Sequence, residues 1–299
     1  MLDYPALAAL AAVVRCGSFD DAAARLGVTP SAVSQRIRNL EERIGTVLVI
    51  RTHPVTATDA GRRLVRHFED VALLEAELAA DLDETVPTNP ATVRIALNAD
   101  SLATWFLAAL ADVKGLSFEL VVDDQDHAAE WLARGDVMAA VAASARPVRG
   151  CSAEALGVLR YVATASPGFR ARWFGDGVTA EALARAPALR FNEKDALQHV
   201  WAMREVGRRV ALSTHRIPSS HGFVEAARRG LGWGMNPELL VRDDIASGRL
   251  VAIGQTPALD VPLYWHTSNR VAKGLIALTR AVRNAAGAAL AATPEASSP

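Results

Sequence analysis

Apolar residues recur at helical spacing from the start of the chain, at Leu2, Leu7, Leu10, Val13 and Val14, and Gly17 stops that helix. Ser18 then reads as an N-cap answered by Asp21. Ala22, Ala23 and Leu26 face inward, and Gly27 closes a second short helix. Thr29-Pro30 restarts the chain, with Thr29 as N-cap and Pro30 at the first helical position, where its missing N–H costs nothing. The third helix carries Val33, Ile37, Leu40 and Ile44 on one stripe. Its opposite face shows Ser31, Ser34, Gln35, Arg36 and Arg38. Helix, glycine-containing turn and helix make the helix-turn-helix pattern. Residues 46–53, TVLVIRTH, read as a short strand hairpin. Thr58 to Gly61 open a long helix to about Asp83, with Leu64, Phe68, Val71, Leu74, Leu78 and Leu82 in steps of four and three. That is the seam of a coiled coil, and a long helix packed on its own domain stays open over only about three heptads. Pro87-Thr88-Asn89-Pro90 reads as a hinge.

From Thr92 the pattern changes to alternating strands and helices. TVRIALN (92–98), FELVVDD (118–124) and VMAAVAAS (137–144) read as strands, separated by helices at 101–110 and 127–135. Such a series predicts a parallel sheet with right-handed crossovers. A second series starts near Tyr161. It has a helix from Thr179, a strand at 188–192, a helix at 221–230 and a strand at 233–236. LDVPLYWHT (259–267) reads as a crossing strand and 271–287 as an amphipathic helix. The Ala/Pro/Ser-rich tail reads as frayed.

The formal net charge of −1 excludes a polycation, so a nucleic-acid surface has to come from local charge. Nine arginines against six acids lie in the first 66 residues, a local balance of +3. Gln35 on the third helix suits adenine, and Arg36 or Arg38 suits guanine or phosphate. Small Ala32 and Ser34 let the backbone approach a duplex, and Arg51 is placed as a wing residue on the DNA backbone. A helical hairpin with a merely solvated polar face stays open on these grounds. Two distant cysteines, no basic signal peptide and no apolar span of about 18 residues predict a cytoplasmic protein without a membrane segment. No phosphate loop, metal-ligand spacing or nucleophile elbow is readable, which predicts a protein that is not an enzyme and needs no cofactor or metal.

The ordered run Phe19…Ala22-Ala23…Leu26…Thr29-Pro30-Ser31-Ala32-Val33-Ser34-Gln35-Arg36-Ile37…Leu40-Glu41…Gly45…Leu48…Arg51, then Thr58…Gly61, resembles the amino-terminal signature of LysR-type transcriptional regulators. The resemblance implies an α/β fold class: a winged helix-turn-helix over 1–58, a linker and dimerisation helix with hinge over 59–90, and a two-lobed effector domain over 91–299 that resembles periplasmic solute-binding proteins. Lobe I is expected at 91–160 and 268–299, lobe II at 161–267. It also implies Ser18, Thr29, Pro30, Ser31, Ala32, Ser34, Gln35, Arg36, Arg38 and Arg51 as the DNA-binding set. Promoter DNA and RNA polymerase are the implied partners, with a homodimer through 59–83 and a homotetramer beyond it.

Ligands of such sheets sit at the carboxyl ends of strands, against helix N-termini. Asn98, Asp100 and Ser101, then Asp123 and Asp124, then Ser144, and finally Ser219 and Ser220, occupy such positions. Hydroxyls and helix N–H groups suit a carboxylate, and acids suit a cation. Carboxylate plus ammonium is an amino acid, and spare acids favour a basic one. A helix cap or solvated loop charge stays open for each acid. The stretches Asn98-Ala-Asp-Ser-Leu-Ala-Thr-Trp105, Asp123-Asp-Gln-Asp-His127, Gly168-Phe, Gly222-Phe-Val-Glu-Ala-Ala-Arg and Leu263-Tyr-Trp-His266 resemble the subgroup controlling lysine and arginine export. That resemblance adds Trp105 to the effector set and implies an activator of an exporter gene answering to L-lysine or L-arginine. The alternative is a solute-binding module without DNA function.

Overall fold

The computed structural model describes residues 2–81, 90–123 and 128–292. Two compact units divide the chain, residues 1–93 with 115–117 and residues 94–114 with 118–299.

The first unit opens with α1 (Tyr4–Cys16), α2 (Phe19–Leu26) and α3 (Pro30–Ile44). Their boundaries follow local chemistry. Asp3, Ser18 and Thr29 each accept a backbone N–H as N-caps, and Gly17, Gly27 and Gly45 close the helices in the left-handed region. Leu7, Leu10, Val33, Ile37 and Leu40 meet in one buried cluster, each contributing about 1.5–3 kcal/mol of transfer free energy. A hairpin follows, β1 (Val49–Ile50) antiparallel to β2 (Thr56–Ala57). It is shorter and later than TVLVIRTH predicted: the Leu48 carbonyl still accepts the Thr58 N–H at 3.0 Å, but the Leu48 N–H is taken by Glu41. The long helix α4 (Asp59–Asp81) is opened by Thr58, whose hydroxyl accepts the Gly61 N–H at 3.1 Å.

The expected leucine seam does not run as one stripe. Leu64, Val65 and Phe68 belong to the head's own core, because α1 lies along the start of α4. The Tyr4 and Phe68 rings are 6.5 Å apart, and Arg15 pairs with Glu69 at 2.7 Å. Leu74 and Leu78 are exposed, whereas Leu73 is buried. Leu82 lies outside the described residues, as do residues 87–89 of the expected hinge.

The chain continues with β3 (Ala91–Leu97), α5 (Ala99–Thr104), α6 (Phe106–Ala111), β4 (Leu116–Val122), α7 (Ala128–Arg134) and β5 (Ala139–Ala142), which apart from residues 91–93 and 116–117 belong to the second unit. The helix expected over 101–110 is two helices, broken at Trp105. Next come β6 (Cys151–Ala165), α8 (Pro167–Trp173), α9 (Ala180–Arg185), β7 (Ala188–Arg190), α10 (Leu197–Val206) and β8 (Thr214–Arg216). The chain closes with α11 (Ser220–Arg228), β9 (Gly234–Pro237), α12 (Glu238–Ala246), β10 (Val251–Ala252), β11 (Ala258–Ser268) and α13 (Ile276–Ala289).

The main sheet has the order β10-β6-β11-β5-β3-β4, with β9 also on β6. It is mixed rather than purely parallel. β3 and β5 pair parallel, but β11 runs antiparallel to both β5 and β6. The long β6–β11 ladder spans Cys151 to Val162 and breaks register between Leu263 and Tyr264. β7 and β8 form a separate parallel pair, and a bridge from Ala188 to Trp233 leads from it toward β9. The carboxyl ends of β3 and β4, the segment after β7 and the start of α11 converge on one cavity.

Candidate functional site

The head presents a built surface. Its core-facing residues on α3 are Val33, Ile37 and Leu40, so the other face of the helix is turned outward. Pro30, Ser31, Gln35, Arg38 and Arg51 are exposed, while Ala32, Ser34 and Arg36 are half-buried. Gln35 Nε2 donates to Asn39 Oδ1 at 2.7 Å, one turn along the same face. Ser18 and Thr29 spend their hydroxyls as caps, accepting Asp21 N–H and Ala32 N–H, each at 3.3 Å. The Arg51 guanidinium stacks on the Phe19 ring at 5.0 Å, which ties the loop after β1 to α2.

Sequence reasoning missed what holds the hairpin. Glu41 Oε1 accepts the Leu48 N–H at 2.8 Å, and the Thr58 hydroxyl donates to the Val47 carbonyl at 2.8 Å. Glu41 stands inside the quoted signature, but only as a motif letter. Nothing local signals that it bonds backbone seven residues away.

The second unit holds a cavity of about 120 Å³. Asn98, Asp100, Asp123, Tyr161, Asp195, Ser220 and Asn236 supply its polar wall, and Phe191, Leu197, Phe223 and Met235 its apolar wall. It is small beside the roughly 300 Å³ and upward of drug-sized ligand sites, a scale that suits a metabolite. Asp100 is held on both oxygens. The Tyr161 hydroxyl donates to Oδ2 at 2.8 Å and the Ser220 hydroxyl to Oδ1 at 2.6 Å. Asp123 accepts from Trp131 Nε1 at 3.0 Å and from Lys194 Nζ at 2.8 Å. Buried Asp195 accepts the N–H groups of Phe191 and Leu197 at 2.9 and 3.1 Å. Asn236 is fully buried, donates to Thr164 Oγ1 at 2.8 Å, and leaves its Oδ1 without a hydrogen-bond partner.

Four predicted effector residues, Asn98, Asp100, Asp123 and Ser220, therefore share this cavity. Asn98 lines it and also caps α5, accepting the Ser101 N–H at 3.1 Å. Four others do not line it. Ser219 is used as the N-cap of α11, accepting the Gly222 N–H at 3.2 Å. Trp105 is buried in the core, its ring edge-on to Phe106 at 5.4 Å. Ser101 is fully buried behind the wall. Ser144 is turned to local contacts: its hydroxyl accepts the Arg146 N–H at 3.2 Å, and its carbonyl meets His266 Nε2 at 2.8 Å. Asp124 lies outside the described residues. Burial pushes the His266 imidazole below its ordinary value, against the opposing effect of the Ser144 carbonyl.

Tyr161, Phe191, Asp195 and Asn236 were not anticipated. The strand-end rule, applied to residues 188–192 as it was to the earlier strands, points at Phe191 to Asp195. Tyr161 and Asn236 lie within strands and carry no such signal.

Residues 5–62 match the bacterial regulatory helix-turn-helix protein model of the lysR family, and residues 89–287 match the LysR substrate binding domain. The chain belongs to the LysR family of transcriptional regulators. It is 45% identical over 285 residues to the HTH-type transcriptional regulator LysG of Mycobacterium tuberculosis (strain ATCC 25618 / H37Rv), covering 95% of this chain and 94% of that relative. The crystal structure of ArgP from Mycobacterium tuberculosis matches with a TM-score of 0.78 and 43% identity, over 98% of this chain and 100% of that one. Full-length LysG from Corynebacterium glutamicum with bound effector Arg matches with a TM-score of 0.68 and 37% identity, over 97% and 100% of the two chains. This LysR-family protein is a DNA-binding transcriptional regulator, similar to LysG and ArgP, and its family is not one of enzymes.

No helix among the described residues is long and apolar enough to cross a membrane.

Proposed function

We propose that this LysR-family regulator senses a basic amino acid, L-lysine or L-arginine, in the cavity beside Asp100, and that binding activates transcription of an exporter gene for such amino acids. The observation that carries the reading is Asp100, a carboxylate held on both oxygens by Tyr161 and Ser220 in the wall of a metabolite-sized cavity. A carboxylate so oriented presents negative charge to the cavity, which suits a cationic effector. The unsatisfied Asn236 Oδ1 adds an acceptor. The first turn of α11, starting at Ser220, offers N–H groups to the effector's own carboxylate. The solved relative with arginine bound supports the same ligand class.

The head reads promoter DNA through the outward face of α3, with Arg51 on the DNA backbone. Residues 1–58 serve as the DNA-binding domain, 59–90 as linker and 91–299 as effector domain. Exposed Leu74 and Leu78 are the remaining apolar positions from which α4 pairs with a second copy. Pairing sets two recognition helices at the spacing of two half-sites. Two such dimers make a tetramer that acts in the cytoplasm and engages RNA polymerase. Effector binding shifts this output only as far as it favours one arrangement of the effector domain over the other.

Titration calorimetry of the full chain with L-lysine, L-arginine and the neutral isosteres norleucine and citrulline tests the ligand. Binding of the basic pair alone supports the reading, and equal binding of all four overturns it. A gel shift on DNA upstream of the protein's own gene tests the output: no preference over random DNA at physiological salt would remove it.

A further inference from the structure

The chain contains three lysines, Lys114, Lys194 and Lys273, among 32 basic residues. One of them reaches the cavity wall. Lys194 Nζ lies 2.8 Å from Asp123 Oδ1, joining the segment after β7 to the end of β4 across 71 residues of sequence.

The segment that carries Lys194 is fastened at nearly every residue. Asn192 Oδ1 accepts the N–H groups of Lys194 and Asp195 at 2.8 and 3.0 Å. The Asp195 carboxylate accepts the N–H groups of Phe191 and Leu197. Arg190 Nε donates to the Asp195 carbonyl at 2.8 Å, and Glu193 pairs with Arg216 at 2.8 Å. The backbone at Lys194 is thus fixed, so an exchange at Asp123 has to be made by the side chain. That side chain is 45% exposed, so solvent reaches it beside its pairing with Asp123. Asp123 stays in position without it, because Trp131 Nε1 holds the other oxygen at 3.0 Å.

We infer that Lys194 is a resident stand-in for the effector's cationic side chain: it holds Asp123 when the cavity is empty, and lysine or arginine displaces it. The inference rests on the sensing role proposed above. Its chemistry is an exchange of like for like, an ammonium on a carboxylate replaced by another cation. A neutral amino acid offers nothing to exchange and leaves Lys194 in place. Asp123 therefore selects for charge without leaving an unpaired acid in the empty state. A partly exposed ion pair contributes at most about 1 kcal/mol, so Lys194 lowers effector affinity by no more than about fivefold.

Two measurements on the full chain test this. The first is calorimetry of wild type, Lys194→Met and Lys194→Arg with L-lysine, L-arginine and norleucine. Lys194→Met is expected to bind the two basic amino acids about three- to fivefold more tightly, with norleucine unchanged, whereas Lys194→Arg keeps the wild-type affinity. The second is amine acylation of the wild type read by mass spectrometry, with exposed Lys114 and Lys273 as internal references. Saturating L-arginine is expected to raise the acylation of Lys194 relative to both. Unchanged or weaker binding by Lys194→Met, or acylation of Lys194 that stays level or falls, overturns the inference. If wild type binds neither basic amino acid, the sensing role fails and takes this inference with it. If wild type binds both while Lys194 neither competes nor moves, the inference fails alone.

Discussion

The Tyr161 hydroxyl donates to Asp100 Oδ2 at 2.8 Å, across 61 residues of sequence. One residue opens a helix after the first strand of the second unit, and the other lies deep in a strand of the long antiparallel ladder. Asp100→Asn keeps the shape and removes the charge. Affinity for L-lysine and L-arginine should fall at least tenfold by calorimetry, about 1.4 kcal/mol, while operator affinity in a gel shift stays put. Tyr161→Phe removes one hydrogen bond to a charged group and should cost about 1.5–3 kcal/mol of stability by denaturant titration. A Tyr161→Phe protein as stable as wild type would show that the bond contributes nothing.

On the DNA side, the polar face of α3 makes two separable predictions. Gln35→Ala should cost about 1–3 kcal/mol on the cognate site and relax preference at one base position. The exposed Arg38 is expected to serve the backbone instead. Arg38→Ala should weaken binding to all sequences alike and flatten the slope of log affinity against log salt by about one. Gel shifts over a salt series, with cognate and scrambled duplexes, separate the two.

Gly61 is a packing requirement. A Cβ there would run into the Leu48 carbonyl oxygen and press on Ala57. Gly61→Ala should therefore destabilise the head by about 1–3 kcal/mol, read as a lowered thermal midpoint. Gly45, whose added Cβ would meet open space, tests only the left-handed backbone: Gly45→Asn should be tolerated far better than Gly45→Val.

His266 is fully buried on β11 and held below its ordinary value by that burial. The unfolded chain therefore binds a proton more readily than the folded one. Its contribution to stability is complete above the unfolded value of about 6.5 and is lost as pH falls from there through the lower folded value. Thermal midpoints from pH 8 to pH 5 should drop for wild type below about pH 6.5, and His266→Gln should show a shallower drop. Parallel curves would assign the pH dependence elsewhere.

What was legible in the sequence was mostly local. Gly17, Ser18, Gly27 and Thr29-Pro30 are caps whose partners sit within four residues, so the junctions of three helices could be placed from letters alone. The seam of α4 was only partly legible, because periodicity shows which positions are apolar but not what covers them. Leu64 and Phe68, both half-buried, pack against the head itself. Residues 151–157 are mixed in polarity, which hid the first half of β6. Ser166-Pro167 was a readable start for α8 and went unread. The cavity was half visible: Asn98, Asp100, Asp123 and Ser220 stand beside strand ends or helix starts, where a general rule looks for them. Tyr161 and Asn236 reach it from strand interiors, through contacts that no local pattern encodes.

Glu41 stands on the same helix as Gln35 and Arg36, and it grips the hairpin by the Leu48 N–H. From the other side Arg51 is stacked on Phe19, at the start of α2. The helix face proposed to read bases and the loop proposed to meet phosphates are therefore one casting. On that proposal the head works like a key with a fixed bit, its helix face and its loop held at one spacing. Tolerance for variation among operators has to be found in the DNA, or in the chain beyond the head.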